Sequence, residues 1–107
     1  MNSAGTGKDK VATFEAKVAE SPDNLLYRFS LAQALYGRSP SEAIPHLKLC
    51  CEGRADWMIP RILLGKAYLQ AGNSTESKEV LEDALRLAIQ QNHKDPATEV
   101  RQLLEDL

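Results

Sequence analysis

The side chains best suited to chemistry lie together in residues 43–57, which hold both cysteines and one of the two histidines of the chain. His46 and Cys50 are four residues apart, so they would share one face of a helix, and Cys51 follows directly. Imidazole and thiolate groups are zinc ligands, and a thiolate is also a nucleophile. A zinc site needs three or four ligands, however, and His93 is not predicted to lie near these residues. Two interpretations of residues 43–57 are therefore open: a thiol or metal site, or ordinary packing positions that happen to be occupied by cysteine.

Composition narrows the classes of function. With 107 residues, the chain is predicted to form one small domain. Its 13 basic and 15 acidic residues are interspersed and give a net charge of −2, which argues against nucleic acid, whose binding proteins cluster their cations. No apolar run approaches the roughly 18 residues of a membrane span, and the N-terminal residues lack the apolar core of a signal peptide. Adjacent cysteines pair poorly in a disulfide, so we expect free thiols and a cytoplasmic protein without membrane contact.

Apolar residues recur along the chain with the three- and four-residue spacing of amphipathic helices. Segments rich in Gly, Pro, Ser and Asn divide this pattern into about six helices. We expect Asp23, Asp56 and Asp95 to be the N-caps of the second, fourth and sixth helices. Pro96 would be the first residue of the sixth helix, and the third helix would start near Ser41. Short helices joined by short turns predict an all-α fold of antiparallel helix hairpins.

An internal repeat groups these helices into pairs. Shifting the chain by 33 residues superposes the second helix on the fourth, and a shift of 34 superposes the third on the fifth. A third, partial copy would begin at Asp95, where Leu103 and Leu107 follow at the spacing that Leu31 and Leu35 have from Asp23. Small residues at matched positions would let paired helices approach closely, while leucines fill the space around them. The matched pairs are Arg28 and Arg61, Leu31 and Leu64, Ala32 and Gly65, Leu47 and Leu81, and Cys50 and Ala84.

The motifs of this repeat carry a family resemblance. They are "LAQAL" and "LGKAYLQAGN" in the first helix of each copy, "EAIPHL" in a second helix, and "SPDN" as a closing turn. Over roughly residues 9–107 the chain resembles a small bacterial-type tetratricopeptide repeat (TPR) domain. The resemblance implies a short right-handed solenoid of stacked hairpins. The expected organisation is a flexible tail (1–7) and one domain (8–107), made of a flanking helix (8–21), two repeats (23–54 and 56–91) and a capping helix (95–107).

The repeat register also bears on the thiols. Cys50 matches Ala84, a small packing residue, and Cys51 matches Leu85. We therefore expect both cysteines to be buried and to pack as small hydrophobic side chains. His46 falls outside the packing positions and is expected on the helix surface. No arrangement of acids, bases or nucleophiles indicates catalysis, so we expect a protein that is not an enzyme and has no cofactor or metal.

The resemblance implies that the first helix of each repeat lines a concave groove that binds a peptide or protein. This groove would be mostly apolar, and such a patch marks an interaction site when it is exposed. An alternative is a structural protein that forms a homodimer through the same groove, and a distant alternative is a thiol or metal protein built on Cys50, Cys51 and His46. The expected groove residues are Leu26, Phe29, Gln33, Tyr36, Ile59, Ile62, Lys66 and Leu69.

Overall fold

A computed structural model describes the backbone of residues 6–107 and the side chains of residues 10–107. Within this part the protein has six helices and no strand, which confirms the predicted all-α stack of helix hairpins. The predicted tail (1–7) falls partly outside the described residues, and the part within them, residues 6 and 7, belongs to the first helix. The helices are α1 (Thr6–Glu20), α2 (Leu25–Arg38), α3 (Pro40–Gly53), α4 (Met58–Gln70), α5 (Ser74–Gln90) and α6 (Lys94–Glu105).

The starts of α2 and α4 differ from the prediction by one residue. Asn24, not Asp23, caps α2, and its side chain accepts a hydrogen bond from the backbone N–H of Tyr27 at 3.0 Å. A backbone hydrogen bond from Asn24 to Ser21 closes a turn first, so Asp23 lies inside this turn. An equivalent turn runs from residue 54 to residue 57 and encloses Asp56, so the N-cap of α4 is Trp57.

The prediction for the start of α6 is also wrong. Its N-cap is His93 rather than Asp95, so Pro96 is the third residue of the helix. The cause lies in the preceding turn, where Asn92 has a left-handed backbone (φ 59°) and the N–H of His93 bonds back to the end of α5. The third copy of the repeat is shifted accordingly: Val100, which is fully buried, takes the position that Leu64 has in α4.

The third helix starts slightly before its predicted position. Ser39 is its N-cap and Pro40 its first residue, instead of a start near Ser41. Pro40 is suited to that place because the first helical N–H has no partner within the helix. Pro45 lies further in and removes one hydrogen bond of α3.

Each helix packs chiefly against the helices before and after it in the chain. The buried side chains form two clusters, one centred on α2 and α3 and the other on α5 and α6, and α4 contributes to both. The first cluster contains Val11, Leu31, Ala32, Leu35, Ala43, Leu47, Cys51, Leu64 and Ala67. The second contains Met58, Ile62, Leu81, Ala84, Ala88, Ala97 and Val100.

The expected role of small residues is clearest where α4 meets α5. Gly65 is buried directly against Leu81, and a Cβ atom placed on Gly65 would lie 2.6 Å from the Cγ of Leu81. The hydroxyl of Ser77 donates a buried hydrogen bond of 2.8 Å to the carbonyl of Gly65. A small residue in each helix thus allows a close approach, and the hydrogen bond holds the two backbones at that separation.

Candidate functional site

The two cysteines are packing residues. Cys50 is fully buried, Cys51 is 8% exposed, and both are free thiols. The sulfur of Cys50 lies 3.7 Å from the carbonyl of Leu25, a weak hydrogen bond to the neighbouring helix. Burial, with a smaller effect from Cys51, raises the pKa of Cys50 to about 11, and burial likewise raises the pKa of Cys51. The thiols therefore stay protonated at neutral pH, and their predicted packing role is confirmed.

The register predicts His46 on the helix surface, and the structure adds a specific contact there. His46 is partly buried, and its Nδ1 accepts a hydrogen bond of 3.1 Å from the guanidinium of Arg28. Burial and then the charge of Arg28 lower the pKa of His46 below its ordinary value, which favours the neutral ring. Among residues 10–107, no three His, Cys, Asp or Glu side chains are grouped so that they could hold a metal ion.

The matched arginines of the repeat have the same local contact. Arg28 donates to the carbonyl of Pro22 at 3.1 Å, and Arg61 donates to the carbonyl of Ala55 at 3.0 Å. Each arginine reaches six residues back to the turn before its own helix. Charged donors make strong hydrogen bonds to carbonyls, so these contacts fix the turns that join one hairpin to the next.

Five of the eight expected groove residues line one depression of about 160 Å³. It lies across three helices: α2 and α4 form most of the lining, and α6 closes one side. Ile59 is 45% exposed and stands at the rim, whereas Ile62 is only 6% exposed and forms part of the floor. The lining residues are Phe29, Gln33, Ile59, Ile62 and Lys66, as expected, together with Leu63 and Glu99, which the sequence pattern did not identify. We call these seven residues the groove.

The other three expected residues lie outside the groove. Leu26 is 62% exposed and does not line the depression. Tyr36 is partly buried against the first core cluster, and Leu69 is partly buried against the second. The repeat spacing placed all three on the right helices, but helix packing covers Tyr36 and Leu69.

Trp57 extends the apolar surface beyond the groove. Its ring lies 5.2 Å from that of Phe29, centroid to centroid, at an angle of 60°, and the guanidinium of Arg54 lies 5.0 Å from the Trp57 ring. Trp57 also lines a second depression of about 530 Å³, which adjoins the groove at Ile59. Sequence periodicity missed Trp57 because it lies in a turn, although it is the only tryptophan of the chain.

The centre of the groove carries no unbalanced charge. Lys66, the cation expected on this face, forms an ion pair with Glu99 of α6 at 2.5 Å. Both side chains remain partly exposed, at 34% and 47%, so the pair closes the rim without being buried. An apolar side chain can enter here without facing an uncompensated charge.

Comparison with known proteins gives the fold. No family model matches the chain, and no curated protein matches it. Among solved structures, the protein is similar to BPP2914 from Bordetella parapertussis, with a TM-score of 0.77 and 23% sequence identity. The match covers 90% of this chain and 84% of that chain. This similarity supports the helical architecture described above. None of the helices in residues 6–107 is long and apolar enough to cross a membrane.

Proposed function

We propose that the chain is a non-catalytic, TPR-type interaction module that binds a peptide or protein segment in the groove. The observation that carries this proposal is the depression itself, where matched residues of two successive repeats meet beside an exposed isoleucine. Phe29 and Ile62 hold the same position in α2 and α4, so the groove follows from the repeat rather than from a single residue.

The residues that line the groove indicate the chemical character of its ligand. Its walls are aromatic and aliphatic, and Lys66 is neutralised by Glu99. We therefore expect an extended or helical segment that inserts an apolar side chain beside Phe29 and Ile59. The adjoining ring of Trp57 offers a flat surface for the next side chain of such a segment. A cytoplasmic location accompanies the proposal, because both thiols are free.

Selection from a random peptide library, followed by titration, tests this function. Because Trp57 is the only tryptophan and lies beside the groove, its fluorescence should change when a selected peptide binds. Ile59→Glu should weaken binding by roughly tenfold or more, the usual effect of losing an interface anchor. Leu49→Glu is the matched control, since Leu49 is 44% exposed on α3 and does not line the groove. Equal binding by the two variants would refute the groove as the site.

Self-association through the groove is the second candidate, favoured by the exposure of Leu26 and Ile59. Light scattering over a concentration series measures the solution mass against the 11.8 kDa of the chain. A monomer at every concentration leaves the groove open to a foreign segment. A dimer that Ile59→Glu dissociates, and Leu49→Glu does not, would replace the peptide-binding proposal with assembly.

A further inference from the structure

A third depression lies at the α6 end of the stack, and we call it the end cleft. It has a volume of about 350 Å³ and lies between the last turn of α5 and one face of α6. Its floor is apolar, because Ala88 is fully buried and Ala97 is 5% exposed, and Ile89 projects at the rim with 54% exposure. The lining residues are Ala88, Ile89, Asn92, His93, Lys94, Ala97, Thr98 and Arg101.

The rim of the end cleft is basic. Lys94 and Arg101 are seven residues apart, so they lie on the same face of α6, about two helical turns from each other. No carboxylate lines the cleft, and neither cation forms an ion pair with any residue among those described. This contrasts with the groove, where Lys66 is paired with Glu99, and with the net charge of −2 of the chain. The cleft is thus a local site for negative charge beside an apolar surface.

The repeat register identifies what covers such a face elsewhere in the molecule. Counted from their N-caps, Ala97 and Arg101 of α6 hold the positions of Arg61 and Gly65 in α4. In α4 this face is covered by the next helix, α5: Leu81 lies on Gly65, while Asp83 and Leu87 share a depression with Arg61. In α6 the corresponding face carries exposed Thr98 and Arg101, and no helix of the described residues covers it.

Arg101 also limits how a helix can cover α6. Gly65 allows α5 to approach α4 closely, whereas the long side chain of Arg101 would hold a helix further away. A helix at this distance would meet the guanidinium of Arg101 instead of the backbone of α6. The matching group on such a helix is a carboxylate, which guanidinium binds with two hydrogen bonds.

We propose that the end cleft binds an amphipathic acidic helix of a partner protein. The helix places an apolar side chain on Ile89 and Ala97 and its carboxylates on Lys94 and Arg101. On such a helix an acid and an apolar residue four positions apart lie on one face, as Asp83 and Leu87 do in α5. This site is separate from the groove, because the two depressions share no lining residue.

The test uses a labelled synthetic peptide of residues 74–90, which contains that spacing, and a matched peptide in which its acidic residues are replaced by lysine. Binding to the full chain is followed by fluorescence anisotropy. We expect the acidic peptide to bind at least about tenfold more tightly than the basic one, and to weaken as salt is raised. Nitrogen–proton NMR spectra should show the largest shifts at Ile89, Ala97 and Arg101.

Matched variants distinguish specific binding of the peptide at the end cleft from non-specific electrostatic attraction to the protein. Lys94→Glu should weaken the acidic peptide roughly tenfold, whereas Lys78→Glu makes the same charge change on the exposed surface of α5 outside the cleft and should have little effect. Equal losses in the two variants would overturn the proposal. Shifts centred on Gly65 would also overturn it, because the peptide would then have displaced α5. Ile59→Glu should leave this binding unchanged, so failure of the groove proposal stays distinguishable.

The end cleft could instead be covered by a second copy of the chain. A dimer that Ile89→Glu dissociates, while Ile59→Glu does not, would overturn the proposal in favour of self-association at this end. A chain that remains monomeric and binds the acidic peptide at the cleft supports a foreign helix as the occupant.

Discussion

The close contact between α4 and α5 makes Gly65→Ala a sharp test of the packing described here. In an open helix the change from Gly to Ala stabilises by about 1 kcal/mol, because alanine has less backbone entropy to lose. At Gly65 the new methyl group would lie 2.6 Å from the Cγ of Leu81, well inside the usual carbon separation of about 3.5–4.0 Å. Leu81 is fully buried, so it has no room to move aside.

The helices also resist separation at this point. Moving α5 away from α4 would stretch the hydrogen bond from Ser77 to Gly65, which is buried and contributes about 1 kcal/mol. Overpacking a core by one methyl group costs about 1–3 kcal/mol. When the hydrogen bond is added to the overpacking cost and the gain in helix propensity of about 1 kcal/mol is subtracted, we expect Gly65→Ala to lower the free energy of unfolding by about 1–3 kcal/mol. For a domain of this size the midpoint of thermal unfolding should fall by roughly 4–8 °C for each kcal/mol lost.

Gly37→Ala is the matched control for this prediction. Gly37 lies in α2, is exposed, and has no atom within 4 Å of the position that a Cβ would occupy. The same substitution there should raise the free energy of unfolding by up to about 1 kcal/mol. Urea unfolding followed by circular dichroism measures both variants. If Gly65→Ala proved as stable as the unmodified protein or more so, the close approach of α4 and α5 would be refuted.

Two further predictions concern the ionisable side chains around α3. Cys50 should react with a thiol reagent at pH 8 at least about a hundredfold more slowly in the native protein than in urea, because its pKa of about 11 and its burial both suppress the thiolate. Rapid labelling of the native protein would contradict the packing assignment. His46 has a folded pKa below the ordinary 6.5, so the unfolded chain takes up the proton first, and stability present above pH 6.5 should be lost as the pH falls towards the folded pKa. Urea midpoints compared above and below pH 6.5 should show a smaller pH dependence in His46→Gln, and an unchanged dependence would contradict the burial of His46 beside Arg28.

Periodicity and repeat register predicted the number of helices and most of their core contacts. Leu31 and Leu64 recur because each hairpin buries the same face, so the same side chains fill the same spaces. Helix ends were less predictable, because several polar residues competed for each N-cap. At the start of α2 the backbone hydrogen bond of the preceding turn places the cap at Asn24 instead of Asp23, and the periodicity of apolar residues does not report this local backbone geometry.

The candidate site was predicted in part for a related reason. Phe29 and Ile59 were found because they follow the helical stripe. Trp57 was missed because a turn residue has no periodicity, and its position beside Phe29 depends on how two hairpins stack. Glu99 was missed because every groove residue was predicted from α2 and α4, whereas the contact between Glu99 and Lys66 depends on how α6 packs in the stack.

The packing of each helix on its chain neighbours has a consequence for how the protein folds. Contacts between successive helices close only short loops, so little chain entropy is lost before they form, and folding should be fast, within microseconds to milliseconds. Because α4 contributes to both core clusters, it should be the last helix to lose its amide protection in hydrogen exchange. The helices α1 and α6 each pack chiefly on one neighbour and should open first, so the end cleft should be among the first surfaces to lose amide protection.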